Sequence, residues 1–207
     1  MQLAKKLLVG SALIFLALPL AGSLSNASAQ NALVNAGFET GDLTGWTVNG
    51  VTANSTVTVE SPDNGPTAPG SFHVLMDNQV DGLGMTLKQS TLPGTAGPGE
   101  VFYSFDLKLV EAAAGGVFFV EIFAEGDGLG VLGGSGILGN YTPADWTTFT
   151  GSFIAPANTD FLTIQFGAIT GANIGSVSSM RVDHVRLTQG SIPTETSNWG
   201  ELKSDYR

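Results

Sequence analysis

The chain has 207 residues, 18 acidic against eight basic, and no cysteine. A formal net charge of −10 excludes nucleic-acid binding by phosphate neutralisation and disfavours anionic membrane surfaces, while suiting cations and neutral ligands such as glycans. Without cysteine there are no disulfides, thiolate metal sites or cysteine nucleophiles, so stability must come from core size, with a bound metal as the remaining staple.

In chain order the first element is a leader. Lys5 and Lys6 precede an apolar run from Leu7 to Ala21, and Ala27-Ser28-Ala29 is an A-x-A cleavage signature. We expect residues 1–29 to be removed as a signal peptide, giving a secreted protein that is extracellular or at the cell surface. The run is short for a membrane span, and no cysteine follows it for a lipid anchor. About 178 residues remain, which suits one domain over residues 30–190 followed by a polar tail, residues 191–207. Without Lys5 and Lys6, six basic residues face 18 acidic ones, a net charge near −12.

Gly and Pro punctuate the rest into segments that read as strands. They are Val51–Glu60, Ser71–Asp77, Met85–Leu92, Val101–Val110, Val117–Ala124, Trp146–Ile154, Phe161–Ala168 and Met180–Thr188, with a short piece around Leu33-Val34 before them. Only Leu109–Ala114 has any helical character. Many short strands with turn signals predict an all-β chain, a jelly-roll β-sandwich of two antiparallel sheets.

Period-two alternation assigns the faces. Val101, Tyr103, Phe105, Leu107 and Leu109 point inward, leaving Phe102, Ser104, Asp106 and Lys108 outside. Burying Glu121 would be costly, so Phe118, Val120, Ile122 and Ala124 face the core and Phe119, Glu121 and Phe123 face out. Leu162, Ile164, Phe166 and Ala168 go in; Thr163 and Gln165 stay out. Glu125–Asp145 is a Gly-rich connection, readable either as a functional loop or as an extra hairpin on the sandwich edge. The tail carries Trp199, Leu202 and Tyr206 at near-helical spacing, and reads either as frayed or as a short docking segment.

Asn35-Ala-Gly-Phe-Glu39 followed by Leu43-Thr-Gly-Trp46 resembles the opening of carbohydrate-binding modules of the family 4 and 9 type. Lys88-Gln89, Tyr103-Ser-Phe-Asp106, Trp146 before Thr148-Phe149-Thr150, and Val182-Asp183-His184-Val185 are similar to its later strands, in order. The family's usual close is I-D-D-V, so His184 departs from it, and the Gly-rich connection is longer than the family pattern. The resemblance implies a galactose-binding-like jelly roll. It also implies a structural calcium held by Glu39 and Asp183 with backbone carbonyls, an oxygen set that calcium favours. Such a clip would tie the two ends of a disulfide-free domain. Asp63 could add a ligand, whereas Gly126-Asp127-Gly128 is a turn signal.

If the strands carrying Phe102, Asp106, Phe119, Glu121, Phe123 and Gln165 share a sheet, these residues form a patch of rings among carboxylate and amide groups. Rings meet the apolar faces of sugars, and polar groups meet their hydroxyls. Trp46 and Trp146 read as core plugs. His73 and His184 accompany no Ser or Asp in a catalytic pattern, and no carboxylate pair is marked by a motif. The sequence therefore predicts a non-enzymatic module binding polysaccharide or surface glycan. The alternative is a structural protein that forms a homo-oligomer or self-assembles.

Overall fold

In the computed structural model of the chain, the described residues are 30–62, 66–67, 70–138 and 144–190. The leader, Asp63 and the polar tail lie outside them. The described residues form ten strands and no helix. They are β1 (Thr47–Asn49), β2 (Ser55–Glu60), β3 (His73–Asn78), β4 (Gly84–Ser90), β5 (Gly99–Ala113), β6 (Val117–Gly126), β7 (Gly130–Leu138), β8 (Ala144–Ala155), β9 (Phe161–Ile169) and β10 (Val177–Gln189). A first sheet has the order β1-β4-β9-β6-β7 and a second the order β2-β3-β10-β5-β8, every pairing antiparallel. The fold is the expected jelly-roll sandwich.

All eight expected strands are present, and two more join them. β7 is the Gly-rich connection, which folds back on β6 as a hairpin, so the hairpin reading is the correct one. β1 follows Trp46 and pairs with β4. Leu109–Ala113 is the end of β5 and Ala114 opens the turn after it, with no helix. The inward residues of β5, β6 and β9 pack as alternation requires: Phe105, Leu107, Phe118, Val120, Ile122, Leu162, Ile164 and Phe166 are all buried.

One topological step decides where the site lies. β5 pairs with β10 and β8, whereas β6, the next strand, pairs with β9 and β7. The chain changes sheets through a tight turn in which Ala114 and Gly115 have φ of 47° and 93°. Gly116 follows with the Val177 carbonyl where a Cβ would stand, so no larger residue fits there. Consecutive strands thus carry their outward residues to opposite sides of the molecule.

Leu33-Val34 forms no strand; its segment sews the two sheets together instead. Gln89 points into the sandwich from β4, and its amide both accepts from the Val34 N–H at 2.6 Å and donates to the Val34 carbonyl at 2.8 Å. On the other side, the Asn31 amide donates to the Val185 carbonyl and accepts from the Leu187 N–H. Main-chain bonds from Ala32 to Leu187 and from Val185 to Ala36 continue the seam along β10.

The Asn35–Trp46 motif is the anchor of that seam. Asn35 has φ of 47°, a conformation asparagine tolerates, and its amide bonds the main chain at Thr40 and Asp42. The Thr40 hydroxyl, with the Thr44 N–H, holds the Asp42 carboxyl below the usual carboxylate range. Phe38 is fully buried and meets the buried Trp46 at 5.2 Å between ring centroids, and Trp46 in turn meets Phe166 at 6.1 Å. Trp46 is the expected core plug. Trp146 is not: it stands half-exposed on the outer face of the second sheet, edge-on to His73.

Removing the Gln89 amide leaves a donor and an acceptor on Val34 without partners. Gln89→Leu is expected to cost about 2 kcal/mol, seen as a melting temperature roughly 4–8 °C lower. Gln89→Glu keeps an acceptor for the Val34 N–H and should lose less. Equal thermal unfolding of both variants and the wild type would show that the seam carries no stability.

Candidate functional site

Four of the six expected ligand residues lie together on the outer face of the first sheet. Glu121 on β6 is opposite Gln165 on β9, which is opposite Lys88 on β4, which is opposite Thr47 on β1. This row is polar across four strands. One step along, Phe119 is opposite Gly167, and Thr86 and Asn49 extend that row. On the other side Phe123 is opposite Thr163, whose hydroxyl bonds Ser90 at 2.7 Å. A polar central row is therefore flanked by two phenylalanines.

Phe119 owes its posture to Gly167. A Cβ built on Gly167 would fall 2.1 Å from Phe119 Cε1 and 2.4 Å from its Cζ. The ring therefore lies flat over the glycine, one face on the sheet and the other toward solvent. A flat, half-buried ring held by the backbone beneath it has little rotamer freedom left to lose on binding. Lys88, Glu121, Phe123 and Gln165 are likewise half-buried, so they combine access with support from their neighbours. β7, the described part of the Gly-rich segment, borders β6 edge to edge in the plane of the sheet.

The other two expected ligand residues are not on this face. Phe102 and Asp106 belong to β5 and hence to the second sheet. Phe102 is 48% exposed there, while Asp106 is fully buried, accepting from the Thr148 hydroxyl at 2.6 Å and from the Thr67 N–H at 3.2 Å. Alternation placed them correctly as outward, but the sheet change between β5 and β6 sends that outward direction elsewhere. Sequence reasoning in turn missed Lys88, Thr86 and Asn49 as members of this face. The alternation of Met85–Leu92 is the signal that would set Lys88 outward, but it does not tell which strand lies beside it.

Glu39 and Asp183 are brought to one place. A Cβ on Gly37 would lie 3.7 Å from Glu39 Cγ and 4.0 Å from Asp183 Oδ1, so the bare glycine leaves a cradle between the two side chains. The Glu39 carboxylate accepts from the main chain of Ser71 and Phe72. Asp183 is fully buried and directly opposite Asp106 in the β10–β5 register, which puts a second buried carboxylate beside it. His184, at a bulge with φ of 45°, holds Nδ1 2.8 Å from Asp183 Oδ2 and 3.5 Å from Asp106 Oδ2. Two carboxylates beside one glycine are a donor chemistry that a hard cation takes. No group of three or more His, Asp or Glu among the described residues is arranged to hold a metal, so main-chain oxygens and water would supply the remaining ligands.

Comparison of the sequence with protein-family models and with curated proteins gives no match. Solved structures do match in fold. One is the enzymatically active domain of tailspike protein 4 of bacteriophage CBA120, at TM-score 0.59 and 14% identity over 76% of this chain. Another comes from work on promiscuous specificity in carbohydrate-binding modules of the β-sandwich superfamily, at TM-score 0.50 and 18% identity over 78% of this chain. The matched part is 21% of the tailspike chain and 62% of the second. The chain therefore shares its β-sandwich fold with carbohydrate-binding modules while spanning less than two thirds of either protein.

Proposed function

We propose that this protein is a secreted, non-catalytic carbohydrate-binding module that takes a neutral polysaccharide along the outer face of its first sheet. The observation that carries this reading is Phe119, laid flat on Gly167 beside the row Lys88, Gln165 and Glu121. The ring offers an apolar plane to a sugar's C–H face, and the row offers donors and acceptors to its hydroxyls. Phe123 provides a second ring on the far side of the row.

A second reading, self-assembly into a surface or matrix polymer, is favoured by β7. It is the edge strand of its sheet, and Val131 and Ile137 on it are 59% and 69% exposed. An apolar edge strand with unpaired backbone groups is a template for another copy. A glycan array followed by calorimetry on the best neutral oligosaccharide separates the two. Phe119→Ala should weaken binding at least tenfold, about 1.4 kcal/mol. Gly167→Val, which keeps Phe119 but lifts its ring, should weaken binding comparably. No glycan bound by the wild type, together with concentration-dependent polymerisation in sedimentation runs, would replace the first reading by the second.

We also propose that Glu39 and Asp183, with main-chain oxygens, hold a structural calcium that neutralises the buried Asp183–Asp106 pair. A ligand at a hundred times its dissociation constant stabilises by about 2.7 kcal/mol. Millimolar calcium is then expected to raise the melting temperature by roughly 5–10 °C over chelator, and Asp183→Asn should remove the difference. An identical transition with and without chelator removes the metal from the account.

A further inference from the structure

The second sheet has a constellation of its own, on the side of the molecule opposite Phe119. Glu60 from β2, His73 from β3, Arg181 from β10, Lys108 from β5 and Trp146 from β8 all line one cavity of about 320 Å³. Each of the sheet's five strands contributes one side chain. The register explains the convergence: Glu60 is opposite His73, and Arg181 is opposite Lys108. These residues come from five separate stretches of sequence, so no motif announces them.

The groups are fixed by one another. Arg181 donates from Nε to His73 Nε2 at 3.1 Å and from Nη2 to Glu60 Oε2 at 3.3 Å. His73 is buried, and its ring meets Trp146 edge-on at 5.6 Å. Lys108 Nζ sits 2.9 Å from Asp145 Oδ1, and its hydrogen bond holds the Asp145 carboxyl below the usual carboxylate range. The half-exposed indole stands at the wall of the cavity.

Charge and size decide what such a cavity takes. Two cations, Lys108 and Arg181, are matched by two carboxylates, Glu60 and Asp145, each pair within 3.3 Å. A pocket whose charges cancel in pairs has little attraction for phosphate or a carboxylate, yet it presents many oriented donors and acceptors. The volume is at the small end for ligand sites, enough for one sugar ring and too small for a chain. We infer that this cavity is a second saccharide site, accepting a single neutral sugar residue with Trp146 as its apolar wall and Arg181 and Glu60 as its hydroxyl partners. The inference rests on the carbohydrate-binding reading but uses none of the residues of the first face. Two sites on opposite sheets cannot grip one stretch of glycan, so together they would make the protein a cross-linker of separate chains.

The test uses the full chain, ¹⁵N-labelled, titrated with the methyl glycosides of glucose, galactose, xylose and mannose, and with methyl glucuronoside. At least one neutral glycoside should shift the Trp146 indole signal saturably. That response should persist in Phe119→Ala, weaken at least tenfold in Arg181→Met and vanish in Trp146→Ala. Trp146→Phe, which keeps an aromatic wall, should retain part of it and serves as the folding control. Wild type should also precipitate a neutral polysaccharide recognised by both sites, and either Phe119→Ala or Trp146→Ala should abolish precipitation. An indole signal indifferent to all four neutral glycosides overturns the second site, as does tighter binding of the glucuronoside. Responses lost in Phe119→Ala would also overturn it, leaving the first face standing; responses confined to Trp146 would do the reverse.

Discussion

The architecture depends on one short segment, residues 31–38, held between two sheets that no disulfide joins. Gln89 binds Val34 from the first sheet, and Val185 and Leu187 bind Asn31, Ala32 and Ala36 from the second. Both sides of the seam are hydrogen bonds between partly buried groups, whose loss leaves donors and acceptors stranded away from water. Phe38 and Trp46 then plug the sandwich beneath it. A domain built this way keeps its sheets in fixed relation, and rigid sheets are what let side chains from separate strands act as a single surface.

Both faces use that rigidity, in different ways. On the first, a glycine in β9 flattens a phenylalanine from β6, and two further strands, β4 and β1, supply polar groups in register with it. On the second, ion pairs replace the glycine as the positioning device, with Arg181 gripping Glu60 and His73 and Lys108 gripping Asp145. The first arrangement is extended along the sheet, the second a small, partly open cavity. Preorganisation of this kind lowers the ordering cost of binding more than it adds contacts. The buried carboxylates of Asp106 and Asp183 sit beside the seam itself, where His184 faces them both.

The fold was legible because strand alternation is local. Val120, Ile122, Ile164 and Phe166 declared their burial through neighbours two residues away, and Asn35–Trp46 carried a motif whose parts lie within twelve residues. β7 was half-legible: its glycines blurred the alternation, so a hairpin and a loop looked alike. The site was less legible, since it depends on which strands are adjacent. Phe102 and Phe119 alternate equally well, and the turn through Ala114, Gly115 and Gly116 sends them to opposite sides. Trp146 misled for a related reason: aromatic size suggested core, but its place on β8 faces it outward beside His73.

The most direct test of the central claim is a crystal structure of the protein with a bound neutral oligosaccharide of five or six residues. The account predicts a sugar ring stacked on Phe119, with hydroxyls in hydrogen-bond contact with Lys88, Gln165 and Glu121, and the chain running on past Phe123. A ligand seated elsewhere with that face bare, or the face covered by a second copy that excludes the sugar, would contradict it.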